Sequence, residues 1–142
     1  MTEQGDDTQP MTHANMRELL DRLDILQLKA KAARTFDNCN ADAYADCFTN
    51  DGLYESPKIG LRAEGREELR RMCLERKGQD VHVVTNIEIE LEGDEAFVRS
   101  TLLLARREGE VISTTGRYEA HCVRTPDGWR FSKKASFLDR RG

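Results

Sequence analysis

Between Met16 and Asp37, apolar side chains recur at Met16, Leu19, Leu23, Leu26, Ala30 and Ala33, and the series closes on Asp37 in steps of 3, 4, 3, 4, 3 and 4. That spacing is one face of a continuous helix. The stripe predicts a core-facing side and carries Asp37 inward with it. A carboxylate held out of water must be paired, hydrogen-bonded or protonated, because an unpaired buried charge costs several kcal/mol. The same spacing would also serve a coiled-coil seam. With only three heptads and alanines closing the stripe, packing onto the rest of the chain is expected instead.

The helix should start at Asn15, a good N-cap, and end near Cys39. Asn40 then caps a second, short helix, Ala41–Phe48, and Thr49-Asn50-Asp51-Gly52 reads as a turn. Leu53–Ser56 is a short strand stopped by Pro57, with another extended piece near Ile59–Ala63. Glu67–Lys77 has helix chemistry: acids in its first turn, and Arg76 and Lys77 in its last. Beyond Gly78 the period changes to two. Val81–Glu92, Ala96–Arg107, Val111–Thr125 and Trp129–Leu138 read as four long strands, separated by Gly93-Asp94, Glu108-Gly109-Glu110 and Pro126-Asp127-Gly128. Helices followed by an antiparallel meander make an α+β order, in which the sheet buries one face against the first helix.

One strand breaks its own alternation. Ile87, Ile89 and Leu91 define an apolar face that strict alternation extends to Val83, leaving His82 on the other side. The Val83-Val84 pair interrupts that pattern. A β-bulge between His82 and Ile87 would return His82 to the apolar face, and such a bulge is expected.

Length and composition narrow the class. A chain of 142 residues makes one domain, here residues 15–142, with Met1 to about Ala14 expected as a disordered lead-in. A net charge of −4, with 38% hydrophobic and 34% charged residues, fits a globular protein and disfavours nucleic acid as a partner. No apolar run approaches the roughly 20 residues of a spanning helix, and the polar N-terminus lacks a secretory core. No membrane association and a cytoplasmic location are expected. Cys39, Cys47, Cys73 and Cys122 form no Cys-x-x-Cys pair and fall at no ligand spacing with His13, His82 or His121, so reduced thiols and no metal are expected.

Several local strings lie along this element order. They are Asp37 in TFDNCNADAYADCFTNDG, Gly65-Arg66-Glu67-Glu68, His82 and Asn86 in VHVVTN, Gly93-Asp94-Glu95-Ala96, Gly116-Arg117-Tyr118-Glu119, and Asp127-Gly128-Trp129-Arg130-Phe131. In order and spacing, from about residue 15 to 138, they resemble the SnoaL-like family of the nuclear transport factor 2-like, or cone-shaped α+β, superfamily. The resemblance implies N-terminal helices packed in the concave face of a curved, mostly antiparallel sheet. It also implies chemistry without a cofactor. The superfamily holds scytalone dehydratase, lindane dehydrochlorinase, ketosteroid isomerases, polyketide cyclases and the small subunit of ring-hydroxylating dioxygenases. In the first two, an Asp ending the first helix orients a His on the first long strand, and that His is the general base. Asp37 and His82 match this pair by position. The chain departs from scytalone dehydratase at Phe36 and Ser56, where that enzyme resembles it but carries tyrosines, and at Arg106, where it carries a second histidine. Dehydration of that particular substrate is therefore not expected.

The residues themselves suit such chemistry. A neutral imidazole is the side chain best able to take a proton from carbon near neutral pH, and an adjacent carboxylate fixes its tautomer and stabilises the imidazolium. Arg106 shares parity with Ala96, Val98, Ser100, Leu102 and Leu104 and is a candidate to stabilise developing charge. Arg117 and Glu119 alternate on another strand, opposite in parity to Tyr118 and Cys122, and pattern alone leaves open which set faces inward. Tyr54 and Phe36 complete a candidate pocket for a small hydrophobic or aromatic molecule, whereas Tyr118 and Trp129 read as packing residues. The expected function is a small lyase or isomerase of the dehydratase or dehydrohalogenase kind, assembled as a homodimer or homotrimer through the outer face of the sheet. The alternative is a non-catalytic ligand-binding or assembly subunit, resembling the small dioxygenase subunit, since fold does not fix activity.

Overall fold

The computed structural model of the protein describes residues 10–76, 79–109 and 111–139; the first nine residues of the expected lead-in, with Lys77 and Gly78, lie outside the described residues. The chain runs α1 (His13–Asp37), α2 (Ala41–Ala45), β1 (Phe48–Ser56), a 3-10 turn (Pro57–Ile59), β2 (Leu61–Glu64), α3 (Arg66–Glu75), β3 (Asp80–Glu92), β4 (Glu95–Arg106), β5 (Ile112–Thr125) and β6 (Gly128–Leu138). The strands form one sheet in the order β2-β1-β6-β5-β4-β3. Only the β1–β6 pairing is parallel. This is the expected α+β architecture: helices on one side of a curved, mostly antiparallel sheet.

Local chemistry moves some boundaries. Thr12, not Asn15, caps α1, its hydroxyl accepting the Asn15 N–H at 3.1 Å, so His13 and Ala14 are helical. α2 stops at Ala45 because Phe48 belongs to β1: its ring packs on Tyr44 and Phe131, and the neighbouring Cys47 carbonyl accepts the Phe131 N–H at 2.8 Å. The expected Thr49–Gly52 turn is instead an irregularity inside β1, where the register with β6 shifts between Phe48 and Leu53. Gly52 is required there, since a Cβ would lie 2.7 Å from that of Phe48. The extended piece expected from Ile59 begins only at Leu61, Ile59 being in the 3-10 turn. The bulge expected on β3 is present: its register with β4 shifts between Thr85 and Glu88, with Asn86 at φ +52°. Val84 and Ile87 therefore both turn toward the helix side, and His82 with them.

The largest correction concerns α1. Its buried residues are Asp21, Ile25, Leu28, Lys29, Ala32 and Asp37. Met16, Leu19, Leu23 and Leu26, expected in the core, are exposed, and the predicted stripe turns inward only toward its end, where Ala33 is half-buried and Asp37 is buried. The helix carries a second, shorter apolar set, Ile25-Leu28-Ala32, and that set joins Phe131, Val98 and Trp129 in the core. Burying Ile25 and Leu28 stabilises the fold by about 1.5–3 kcal/mol each. Polar partners decide the rest. Asp21 receives two hydrogen bonds from Arg124, both 2.7 Å, and one from Trp129 Nε1 at 3.1 Å, so its burial is compensated.

Candidate functional site

Asp37 ends α1 and His82 lies near the start of β3, and the packing of that helix on that strand brings them together. Asp37 Oδ1 lies 2.5 Å from His82 Nδ1, while Asp37 Oδ2 accepts the His82 backbone N–H at 2.9 Å. The two side chains are 10% and 16% exposed. One carboxylate thus holds both the backbone and the ring of its partner, setting the ring's turn. The proton of a neutral imidazole sits on Nδ1, and Nε2 is left with its lone pair for a ligand. The Phe36 ring stands edge-on to the imidazole, centroids 5.2 Å apart. Arg107 donates to the Asp37 carbonyl at 3.2 Å, tying the helix end to β4.

The pair opens on a cavity of about 120 Å³ whose walls include Phe36, Tyr54, Leu102 and Tyr118. A cavity of about 150 Å³ takes benzene, so this space suits one ring or less. Polar side chains line it as well: beside the pair stand Arg76, Gln79 and Asp80, and Tyr54, Ser56 and Ser136. Tyr54 Oη shares a 2.8 Å hydrogen bond with Ser136 Oγ, and the buried Ser56 Oγ has no partner among the described residues. Burial pushes the Tyr118 phenol well above its ordinary value, and that of Tyr54 upward too, so both remain O–H donors.

A second chamber, about 20 Å³, shares Phe36, Tyr54, His82 and Tyr118 as walls and adds Lys134; it has room for one water. Lys134 is buried with its Nζ 4.2 Å from the Tyr118 ring centroid, and Lys29 Nζ lies 5.0 Å from the same centroid. Among the described residues neither amine has an ion-pair partner, and Lys29 Nζ has no hydrogen bond. Burial lowers Lys134 to about 8, and burial with the neighbouring Lys134 charge holds Lys29 well below its ordinary value. The alternation Trp129, Phe131 along β6 would turn Lys133 inward. A register shift opposite His121 and Cys122 reverses the parity, leaving Lys133 on the surface 3.7 Å from Glu55 and turning Lys134 inward. That irregularity has no turn residue to announce it in the sequence.

Of the expected site residues, Asp37, His82, Phe36 and Tyr54 meet in one cavity. Arg106 does not: it ends β4 in solvent, and the next residue, Arg107, is the one that reaches Asp37. Arg117 and Glu119 lie on the outer face of β5, 3.6 Å apart, with Arg117 over the Phe137 ring. The parity left open in the sequence resolves toward Gly116, Tyr118, Ala120 and Cys122, all buried. Tyr118 is thus a cavity wall, and its small neighbours on the same face are the signal that could have placed it. Trp129 packs as expected. All four cysteines are free thiols, and no group of three His, Cys, Asp or Glu among the described residues is placed to hold a metal ion. No helix among them is long and apolar enough to cross a membrane.

Known proteins share this framework. The description "SnoaL-like domain" matches residues 17–135. An uncharacterized protein of Mycobacterium tuberculosis strain H37Rv is 26% identical over 128 residues, 84% of this chain and 86% of that one. Among solved structures, a nuclear transport factor 2-like protein with a cystatin-like fold from Novosphingobium aromaticivorans superposes with a TM-score of 0.83 at 23% identity, covering 94% of this chain and 92% of the other. A protein from the same organism named as a scytalone dehydratase gives 0.74 at 20% identity, covering 88% of each chain.

Proposed function

Because the chain belongs to the SnoaL-like family, whose fold brings the end of the first helix against a long strand here, we propose that it is a cofactor-independent lyase or isomerase acting on a small, single-ring or acyclic apolar molecule. His82 Nε2 takes a proton from an acidified carbon, and the imidazolium forms against the Asp37 carboxylate that already holds Nδ1. In an isomerase the imidazolium returns that proton to a different carbon. In a lyase the electron pair of the broken C–H bond expels a leaving group from the neighbouring carbon. Tyr54, Tyr118 and the hydroxyl of Ser56, unpartnered among the described residues, are O–H donors of the cavity wall available to an oxygen on which charge develops. The observation that carries this reading is the Asp37–His82 contact, made at the wall of a small cavity lined by both apolar and polar side chains. The likeness to a protein named as a dehydratase concerns the fold, and the family does not by itself choose the reaction.

Carbon-acid chemistry can be read before the natural substrate is known. Single-ring ketones incubated with the protein in heavy water should exchange their α-protons, followed by proton NMR. His82→Ala should slow exchange by on the order of 10²–10⁴, and Asp37→Asn, which offers Nδ1 an amide in place of the carboxylate, should fall in the same direction. Exchange as fast in His82→Ala as in the parent, or none above the buffer rate with any ketone that fits the cavity, would sink the proposal.

A further inference from the structure

The outer face of α1 is apolar and unpartnered within one chain. Met16, Leu19, Leu20, Leu23 and Leu26 are between 38% and 58% exposed. All but Leu20, which lies beside the seam at e, follow the heptad rule, with Met16, Leu23 and Ala30 at a and Leu19, Leu26 and Ala33 at d. In that phase Asp21 and Leu28 occupy f, the position farthest from a seam, and both are buried in this fold. The heptad stripe and the core face therefore point in opposite directions, and a period that would guide packing against a helix is turned to the outside. Together the five side chains present on the order of 400–500 Å² of apolar surface, the size of the largest patch on an ordinary monomer.

We infer that α1 pairs antiparallel with α1 of a second copy of this chain. The stripe is complementary to itself in that direction. Reversed upon its own image, it sets Met16 against Ala33, Leu19 against Ala30 and Leu23 against Leu26, large residues against small ones at the two ends and leucine against leucine in the middle. The small end is also where the surface is hollow. A groove of about 450 Å³ runs between α1 and β3, with apolar walls from Leu26, Ala30, Val83 and Ile87 and with Arg34 and Arg107 toward its Asp37 end, and receives the bulky half of the other helix. No charge stands at an a or d position from Met16 to Ala33, and Arg22 beside the stripe is drawn to Glu18 and to the Ile89 carbonyl at 2.8 Å. Two such faces bury on the order of 1,000 Å², about the least that a specific interface requires. Asp37 and His82 line the same groove, so the second copy covers the outer side of the pair. The contact uses the helix rather than the outer face of the sheet.

Sedimentation velocity on the full chain tests this. The parent should be a dimer at micromolar concentration. Leu23→Glu should raise the dissociation constant by at least about 100-fold, because the pairing would bury two unpaired carboxylates. Its circular dichroism should be unchanged, since Leu23 is exposed in the single chain; Leu19→Gln, a milder change, should move the constant the same way. Direction is read separately: Met16→Cys with Ala33→Cys should give a covalent dimer under mild oxidation, joined between those positions by peptide mapping, and Met16→Cys alone should not. A parent that stays monomeric at about 100 µM, a dimer that survives Leu23→Glu, or self-cross-linking by Met16→Cys alone would each overturn the inference.

Discussion

The two faces of α1 reverse the usual order of a surface helix. Its inner face buries two acids and a lysine; its outer face exposes a methionine and four leucines. Asp21 is admitted to the interior by Arg124 and Trp129, and Asp37 by His82, while Lys29 Nζ lies near the Tyr118 and Phe131 rings and has no hydrogen bond among the described residues. Burial therefore follows the availability of partners as much as apolarity. A count of apolar positions cannot see those partners, which come from strands about 50 to 100 residues away.

The contrast can be broken most sharply at Asp21. Asp21→Ala leaves Arg124 paired with Asp94 alone and takes the acceptor from the buried Trp129 indole, and should destabilise the protein by about 1–3 kcal/mol in urea unfolding. The Arg124 and Trp129 hydrogen bonds hold the Asp21 carboxyl below its ordinary value of 3.8, so this stability is fully present above that pH and fades below it. Asp21→Asn should lack that acid dependence. In the opposite direction, Lys29→Met removes an amine without a hydrogen bond and keeps the packing volume, and should stabilise by about 1–3 kcal/mol by the same measurement.

Lys134→Met sharpens the point through pH. Lys134 is held at about 8 in the fold and returns to 10.5 on unfolding, so between those values the unfolded chain binds more protons. Its contribution to stability is poorest below pH 8 and complete only above 10.5. The variant should melt higher than the parent at pH 7, and the gap should close toward pH 10.5. Lys29, Asp37, Cys47 and Tyr118 surround the same amine, and Cys122, pushed up to about 12 by burial, pulls stability the other way over this range. The difference between the two proteins, not either melting curve, is therefore the measurement. The smallest effect belongs to the outer face: Leu19→Gln should change the stability of the dilute, dissociated chain by less than about 0.5 kcal/mol.

Much of this was legible without coordinates where the signal is local. Period two located the four long strands to within a residue or so, because each buries one face of a pleat. The interrupted alternation at Val83-Val84 announced the bulge, and with it the inward turn of His82. Arg117 and Glu119 were not placeable, since either parity of β5 looks alike until the core shows which one it covers. Lys134 was hidden for a different reason: the slip on β6 involves ordinary residues, and one extra residue sends every later side chain to the other face.

By itself, then, the sequence determined the α+β order and the long meander, which follow from periodicities and caps that act over a few residues; the pairing of Asp37 with His82 came from the family resemblance. Only the tertiary structure decided which side of α1 is inside, that Lys29 and Lys134 share the interior with Tyr118, and that the heptad stripe faces out. A helix with two apolar stripes has two nearly equal ways to pack, and the choice between them is made by the arginine, indole and imidazole that distant strands bring to its acids.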